Sequence, residues 1–266
     1  MKRIITTLVL LPIFIFIVVS KEIYYFAALT FLGAILAEIE YFKIVEKIGV
    51  KTFKTVAMLW TLSFLCVALW PKSLQLETVI SAGFLLLVVT VVFSRLSMKE
   101  IVESVSMTLL GVFYIGFFLA YFIALKSQGD ERGKDLLLLL TFTVWAGDTM
   151  AYVVGSWIGR HKLAPKISPK KSWEGAAANV AASIITAYIS SLTFIQRIEL
   201  KDALILGVLI SVVGQFGDLF ESILKRAAEI KDSSNILPGH GGILDRIDSL
   251  VLTAPILYYY HQVFLK

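Results

Sequence analysis

Nine stretches of roughly 20 apolar residues, the length that crosses about 30 Å of hydrocarbon as helix, follow one another along this chain. Their approximate limits are 4–20, 23–41, 55–70, 79–94, 102–125, 136–159, 176–195, 202–221 and 247–264. Inside a bilayer every backbone N–H and C=O must be satisfied within the protein, so segments of this length are helices. Hydrophobic residues make up 58% of the chain, above the roughly 45–50% of ordinary soluble domains. The expectation is an all-α, polytopic integral membrane protein of about nine transmembrane helices, a single domain over residues 1–266. Within it, residues 1–140 are N-terminal spans with no assigned role, and 141–266 hold the chemistry-bearing helices and loops.

Charge sets the topology. The start MKRIITTLVLLPIFIFIVVS lacks a small-residue cleavage site and is followed at once by another apolar stretch, so it reads as an uncleaved first span. With Lys2 and Arg3 in the cytoplasm, 17 of the 25 Lys and Arg residues fall on the cytoplasmic side. That bias is the positive-inside rule, which accounts for the net charge of +5 without a nucleic-acid partner. The C-terminus then lies outside, and the two most polar connections, 160–174 and 222–246, share the cytoplasmic face. The sole cysteine, Cys66, lies in an apolar run, which excludes an intrachain disulfide and a thiolate metal cluster.

Ionisable residues at membrane depth are costly and mark function. Asp148 in TVWAGDTMAY and Asp218 in VVGQFGDLFESILKR each follow a glycine that lets a neighbouring backbone approach closely. Continued as helix, Asp218, Ser222, Lys225 and Glu229 share one face, with Arg226 beside it, as on a span that leaves the bilayer along a polar cavity. The loop that follows, KDSSNILPGHGGILDRID, pairs glycines that admit backbone N–H groups to an oxygen-rich ligand with cations that neutralise phosphate. Asp245 and Asp248, three apart on one helical face, supply with Asp218 the hard oxygen ligands that Mg²⁺ prefers. The second polar connection, GRHKLAPKISPKKSWEG, is a basic juxtamembrane loop given shape by Pro165 and Pro169. Its Gly155 and Gly159 are spaced for close helix packing.

The residues from Ser222 through Lys225-Arg226, Lys231-Asp232, Ser234, Pro238, His240-Gly241-Gly242, Asp245-Arg246 and Asp248 resemble the signature of the phosphatidate cytidylyltransferase family. A second region is similar to the same family: Asp148-Thr149, Ala151-Tyr152, Gly155, Gly159, His161 to Lys166 and Ser168 to Gly175. Met150, Lys170 and Ser172 depart from commoner family residues there.

The resemblance implies transfer of a cytidylyl group from CTP to phosphatidate with release of pyrophosphate, in a cavity open to the cytoplasm and the inner leaflet. It implies Mg²⁺, with a second cation compatible, a location in the cell inner membrane, and a homodimer. On that basis Asp218, Asp245 and Asp248 are the metal-ligand candidates. Lys225, Arg226 and Arg246 are candidates to stabilise charge on the transferring phosphoryl group, and Asp148 to hold a second cation or organise the basic loop. Ser222, Lys231, Asp232, His240, Gly241, Gly242, Lys166, Ser168, Lys171 and Trp173 are the candidate substrate contacts.

Two readings of other kinds compete. A transporter of an ion or anionic lipid would use buried acids, and the Gly-Asp pairs at 147–148 and 217–218 hint at a repeat, but the sequences around them do not match. A non-catalytic lipid-binding module does not explain acids placed among the bases. The Asp-Gly-x-x-Ala-Arg signature of CDP-alcohol phosphotransferases is absent.

Overall fold

The computed structural model describes residues 2–195, 198–237, 239 and 241–265, with side chains described from residue 8 onward. Among the described residues one helix forms over each apolar stretch. They are α1 (Lys2–Val19), α2 (Ile23–Lys47), α3 (Lys54–Leu69), α4 (Leu76–Val92), α5 (Met98–Lys126), α6 (Asp130–Ile158), α7 (Trp173–Thr193), α8 (Leu200–Ala227) and α9 (Leu244–Phe264). Five of them, α2 and α5 to α8, are long and apolar enough to cross a membrane. Helix α3 has 16 residues and α4 has 17, which at about 1.5 Å per residue fall short of the roughly 30 Å of hydrocarbon. Helix α9 is long enough but carries Asp245, Arg246, Asp248 and His261, which lower its hydropathy. The protein is a helical membrane protein.

One element was not expected. Lys162–Ala164 (β1) and Ser168–Ser172 (β2) pair antiparallel, with Lys162 opposite Ser172 and Ala164 opposite Ser168. The basic connection is therefore a hairpin, in keeping with the shaped loop its prolines predict.

The chain forms two compact units: Met1–Ser127 with Ala227–Arg246, and Gln128–Arg226 with Ile247–Lys266. In the first unit the core is aromatic. Trp60 stacks on Phe64, which meets Phe113 and Phe117, and Phe117 meets Tyr121. The residues Val112–Phe117 form a π turn within α5, and Gly116 there leaves room for Thr61, since a Cβ would stand 2.5 Å from its Oγ1. Gly83 on α4 accommodates the Trp60 ring in the same way. The buried Lys126 donates to the carbonyls of Val18 and Ser20 at 2.6 and 2.7 Å, a cation placed where the C-terminus of α1 carries partial negative charge.

In the second unit small residues let helices touch. A Cβ on Gly207 would lie 2.6 Å from Ile184 Cα, so α8 and α7 meet backbone to backbone. A Cβ on Gly155 of α6 would lie 3.6 Å from Gly175 Cα on α7, the close packing expected for this glycine. The first turn of α8 is tied to α9 where Tyr260 donates to the buried Asp202 at 2.7 Å. Tyr260→Phe leaves that carboxylate without its donor and is expected to destabilise the protein by about 1–3 kcal/mol. Thermal unfolding in detergent measures the loss.

Candidate active site

Both glycine-aspartate pairs are contact points in the second unit, and for the expected reason. A Cβ on Gly147 would stand 2.6 Å from Asn179 Oδ1 and 2.6 Å from Ser183 Oγ. A Cβ on Gly217 would stand 2.4 Å from the Asp248 carbonyl. Each glycine brings the next helix in, and the aspartate after it enters the shared polar interior.

That interior holds three of the predicted carboxylates. Asp148 on α6, Asp218 on α8 and Asp248 on α9 lie close enough for their charges to act on one another. Two cations offset them. Lys171 of β2 pairs with Asp218 at 2.7 Å, and Lys225 acts on Asp248 while pairing with Glu221 one turn earlier on α8. Ser222 donates to Asp218 Oδ1 at 3.4 Å, the one-turn spacing read from sequence. The Ser249 backbone N–H donates to Asp248 Oδ1 at 2.7 Å.

The expected polar stripe ends sooner than its spacing suggested. Helix α8 stops at Ala227, and Glu229 follows with φ of 55°, a left-handed residue past the helix end. The carboxylate that faces Lys225 is instead Glu221, which is fully buried.

A second layer of polar side chains orients Asp148. Asn179, 3% exposed, donates to Asp148 Oδ1 at 3.2 Å and accepts from Ser211 at 2.6 Å, while Gln215 donates to Ser211 at 3.1 Å. Asn179, Ser211 and Gln215 escaped the sequence reading because a search for charge at membrane depth passes over amides and hydroxyls. A search for buried hydrogen-bonding side chains in the same helices would have found them.

The hairpin is fixed to the same unit. Arg226 Nε donates to the Ile167 carbonyl at 3.2 Å. Glu174 receives the His161 backbone N–H and meets its Nδ1 at 2.7 Å, and Ser172 caps α7 by accepting from Gly175 N. Lys166 and Trp173 are exposed and Ser168 is half-buried, so the hairpin presents them outward.

The remaining predicted residues belong to the first unit. Asp245, the other predicted metal ligand, accepts at Oδ2 from Ser233 N at 2.9 Å and Gly242 N at 2.7 Å, with Ser233 Oγ 2.9 Å away, so here the carboxylate shapes its own loop. Gly241 sits at φ of 80°, where a side chain would be strained and a Cβ would stand 2.5 Å from Asp245 Oδ2. Lys231, Asp232 and Arg246 are exposed, and His240 lies outside the described residues.

Among the described residues no three Asp, Glu, His or Cys side chains are grouped so as to hold a metal by themselves. This donor chemistry still suits Mg²⁺, which is ordinarily held by one or two carboxylates, with water and substrate phosphates completing the shell.

A cluster of carboxylates and cations drawn from apolar helices, with a basic hairpin attached, is the most highly charged meeting point described within this unit. The chain belongs to the cytidylyltransferase family, whose model matches residues 1–264. It is 38% identical over 190 residues to the phosphatidate cytidylyltransferase of Bacillus subtilis, covering 71% of this chain and 69% of that protein. It is 33% identical over 266 aligned positions to the Synechocystis protein of the same name, covering 89% and 88%. The Haemophilus influenzae protein of that name is 42% identical over 139 residues, covering 51% of this chain and 48% of its own. The family match extends through residues 1–140, where the motifs are silent.

Proposed function

We propose that this protein transfers the cytidylyl group of CTP to phosphatidate, forming CDP-diacylglycerol and pyrophosphate for phospholipid synthesis. The observation that carries the reading is the meeting of Asp148, Asp218 and Asp248 with Lys171 and Lys225 inside a helical membrane unit of this family.

A phosphatidate oxygen attacks the α-phosphorus of CTP, and the bond from that phosphorus to the bridging oxygen of the β-phosphate breaks. Pyrophosphate leaves with the bonding electrons. The attacking oxygen is already anionic, so no strong general base is required. Asp218 and Asp248 are the residues that would hold Mg²⁺, with Asp148 beside them for a second cation or for orienting the site. When bound, Mg²⁺ supplies Lewis-acid neutralisation of phosphate charge. Lys225, Arg226 and Arg246 offset charge on the transferring group and on the departing pyrophosphate. Lys171 holds Asp218 at 2.7 Å and exchanges that partner for a substrate phosphate. Asp245 keeps Gly241 and Gly242 in place in the nucleotide loop, next to His240, through its bond to Gly242 N. Ser222, Lys231, Asp232, Lys166, Ser168 and Trp173 complete the substrate contacts.

The arrangement in the membrane is part of the proposal. Nine helices span or enter the bilayer of the cell inner membrane, with the N-terminus and the site cytoplasmic and the C-terminus outside. The cavity opens both to the cytoplasm and sideways to the inner leaflet, where phosphatidate resides, and the protein works as a homodimer.

The test is an assay of purified protein in detergent with phosphatidate, labelled CTP and Mg²⁺. Label is expected in an organic-soluble product, with equimolar pyrophosphate, and chelation by EDTA is expected to reduce turnover to background until Mg²⁺ is restored. Label that stays aqueous would remove the reading and favour transport.

A further inference from the structure

We infer that Glu40, from the N-terminal spans, is a positioning residue for the signature loop that ends at α9. The inference rests on the cytidylyl-transfer reading for its kinetic consequence, but not for its geometry.

Glu40 is fully buried on α2, and its two oxygens take up all four acceptor positions of a carboxylate. Oε1 accepts from Ser234 Oγ at 2.6 Å and from Ile243 N at 3.0 Å. Oε2 accepts from Ser233 Oγ at 3.0 Å and from Leu244 N at 2.8 Å. Ile243 and Leu244 stand at the start of α9, where backbone N–H groups have no partner within the helix and the macrodipole is positive. A carboxylate some 200 residues earlier in the chain thus accepts the Ile243 and Leu244 N–H groups where α9 begins. Among the described residues every partner of Glu40 is a serine hydroxyl or a backbone amide, so the bonds define the loop's path and do not merely neutralise a charge.

The same contacts explain Gly242. A Cβ there would stand 2.0 Å from Ser233 Oγ and 2.4 Å from Glu40 Oε2. The loop passes over Glu40 with no room for a side chain. Ser233 Oγ also lies 2.9 Å from Asp245 Oδ2, so its single O–H is shared between the two carboxylates, while its backbone N–H donates to Asp245. Glu40, Ser233, Asp245 and Gly242 therefore form one bonded group, and the described segment Gly241–Leu244 takes its path from it. This assigns work to residues 1–140, which neither signature region reaches.

The experiment compares full-length wild type with Glu40→Gln, Gly242→Ala and the double variant, using Glu38→Gln, two residues earlier on α2, as control. Gln keeps the shape of Glu40 but turns two donors toward groups that are themselves donors. Hydrogen exchange in detergent reads the loop directly. Peptides covering 233–244 are expected to exchange about 10- to 100-fold faster in Glu40→Gln, with α5 and α6 unchanged. Steady-state kinetics should show KM for CTP raised about 10-fold or more, with KM for phosphatidate little altered. Gly242→Ala should give the same pattern, and the double variant less than the product of the two single effects, because both act on one contact. Glu38→Gln should leave loop exchange unchanged.

If exchange in 233–244 is unchanged in Glu40→Gln, the positioning role is wrong, whatever the activity. An activity loss that follows only the folded fraction, with unchanged KM for CTP, also overturns it. An inactive wild type whose loop exchange still depends on Glu40 would retain the positioning role and refute the cytidylyl-transfer reading.

Discussion

Asp218→Asn is expected to lower turnover by about 10²- to 10³-fold, the scale seen when one electrostatic contact to a transition state is removed. Asn has the shape of Asp without its charge. The variant keeps the Ser222 contact and loses the attraction that holds Lys171 at 2.7 Å. It also relieves repulsion among Asp148, Asp218 and Asp248. Folding is therefore expected to hold or to gain slightly while catalysis fails. Thermal unfolding and a CTP-dependent product assay on one preparation separate the two. Near-normal turnover in Mg²⁺ would remove Asp218 from the metal-holding role.

Gly217→Ala reaches the same site through the backbone. Its new methyl would meet the Asp248 carbonyl at 2.4 Å and Ser249 Cα at 3.4 Å. Neither is the end of a flexible side chain, so α9 must retreat, at a cost of about 1–3 kcal/mol. Asp248 moves away from Asp218, and a displacement of about 1 Å at a reacting centre is worth roughly 10²-fold in rate. Gly214→Ala, one turn earlier, is the comparison. Its methyl would find its nearest neighbours at 3.5 Å, an ordinary contact, and Ala is favoured over Gly in a helix by up to about 1 kcal/mol. The expected result is an inactive, destabilised Gly217→Ala beside an active Gly214→Ala. Equal behaviour of the two would mean that α8 and α9 do not meet closely at Gly217.

The parts legible in the sequence share a physical origin. Apolar stretches of membrane length become helices because hydrocarbon leaves the backbone no other partner, and each predicted stretch holds one. Asp148 and Asp218 stood out because charge at that depth is expensive, and their preceding glycines because close packing needs them. The Ser222–Asp218 contact followed from helical spacing alone. Glu229 shows where spacing misleads: periodicity extends a helix until the backbone turns, and the turn came at Ala227. Glu221, on a neighbouring face, then took the place opposite Lys225.

By itself the sequence determined that this chain is a membrane protein of helices with its charged motif residues gathered toward the C-terminal end, since composition, spacing and motif residues are local properties. Only the tertiary structure decided which acids act together. Asp148, Asp218 and Asp248 are drawn from three helices, Asn179 joins α6 to α8, and Glu40 caps a helix that begins near residue 244. Hydrogen bonds and Coulomb forces act over a few ångströms of space, and distance along the chain carries no information about which side chains will come that close.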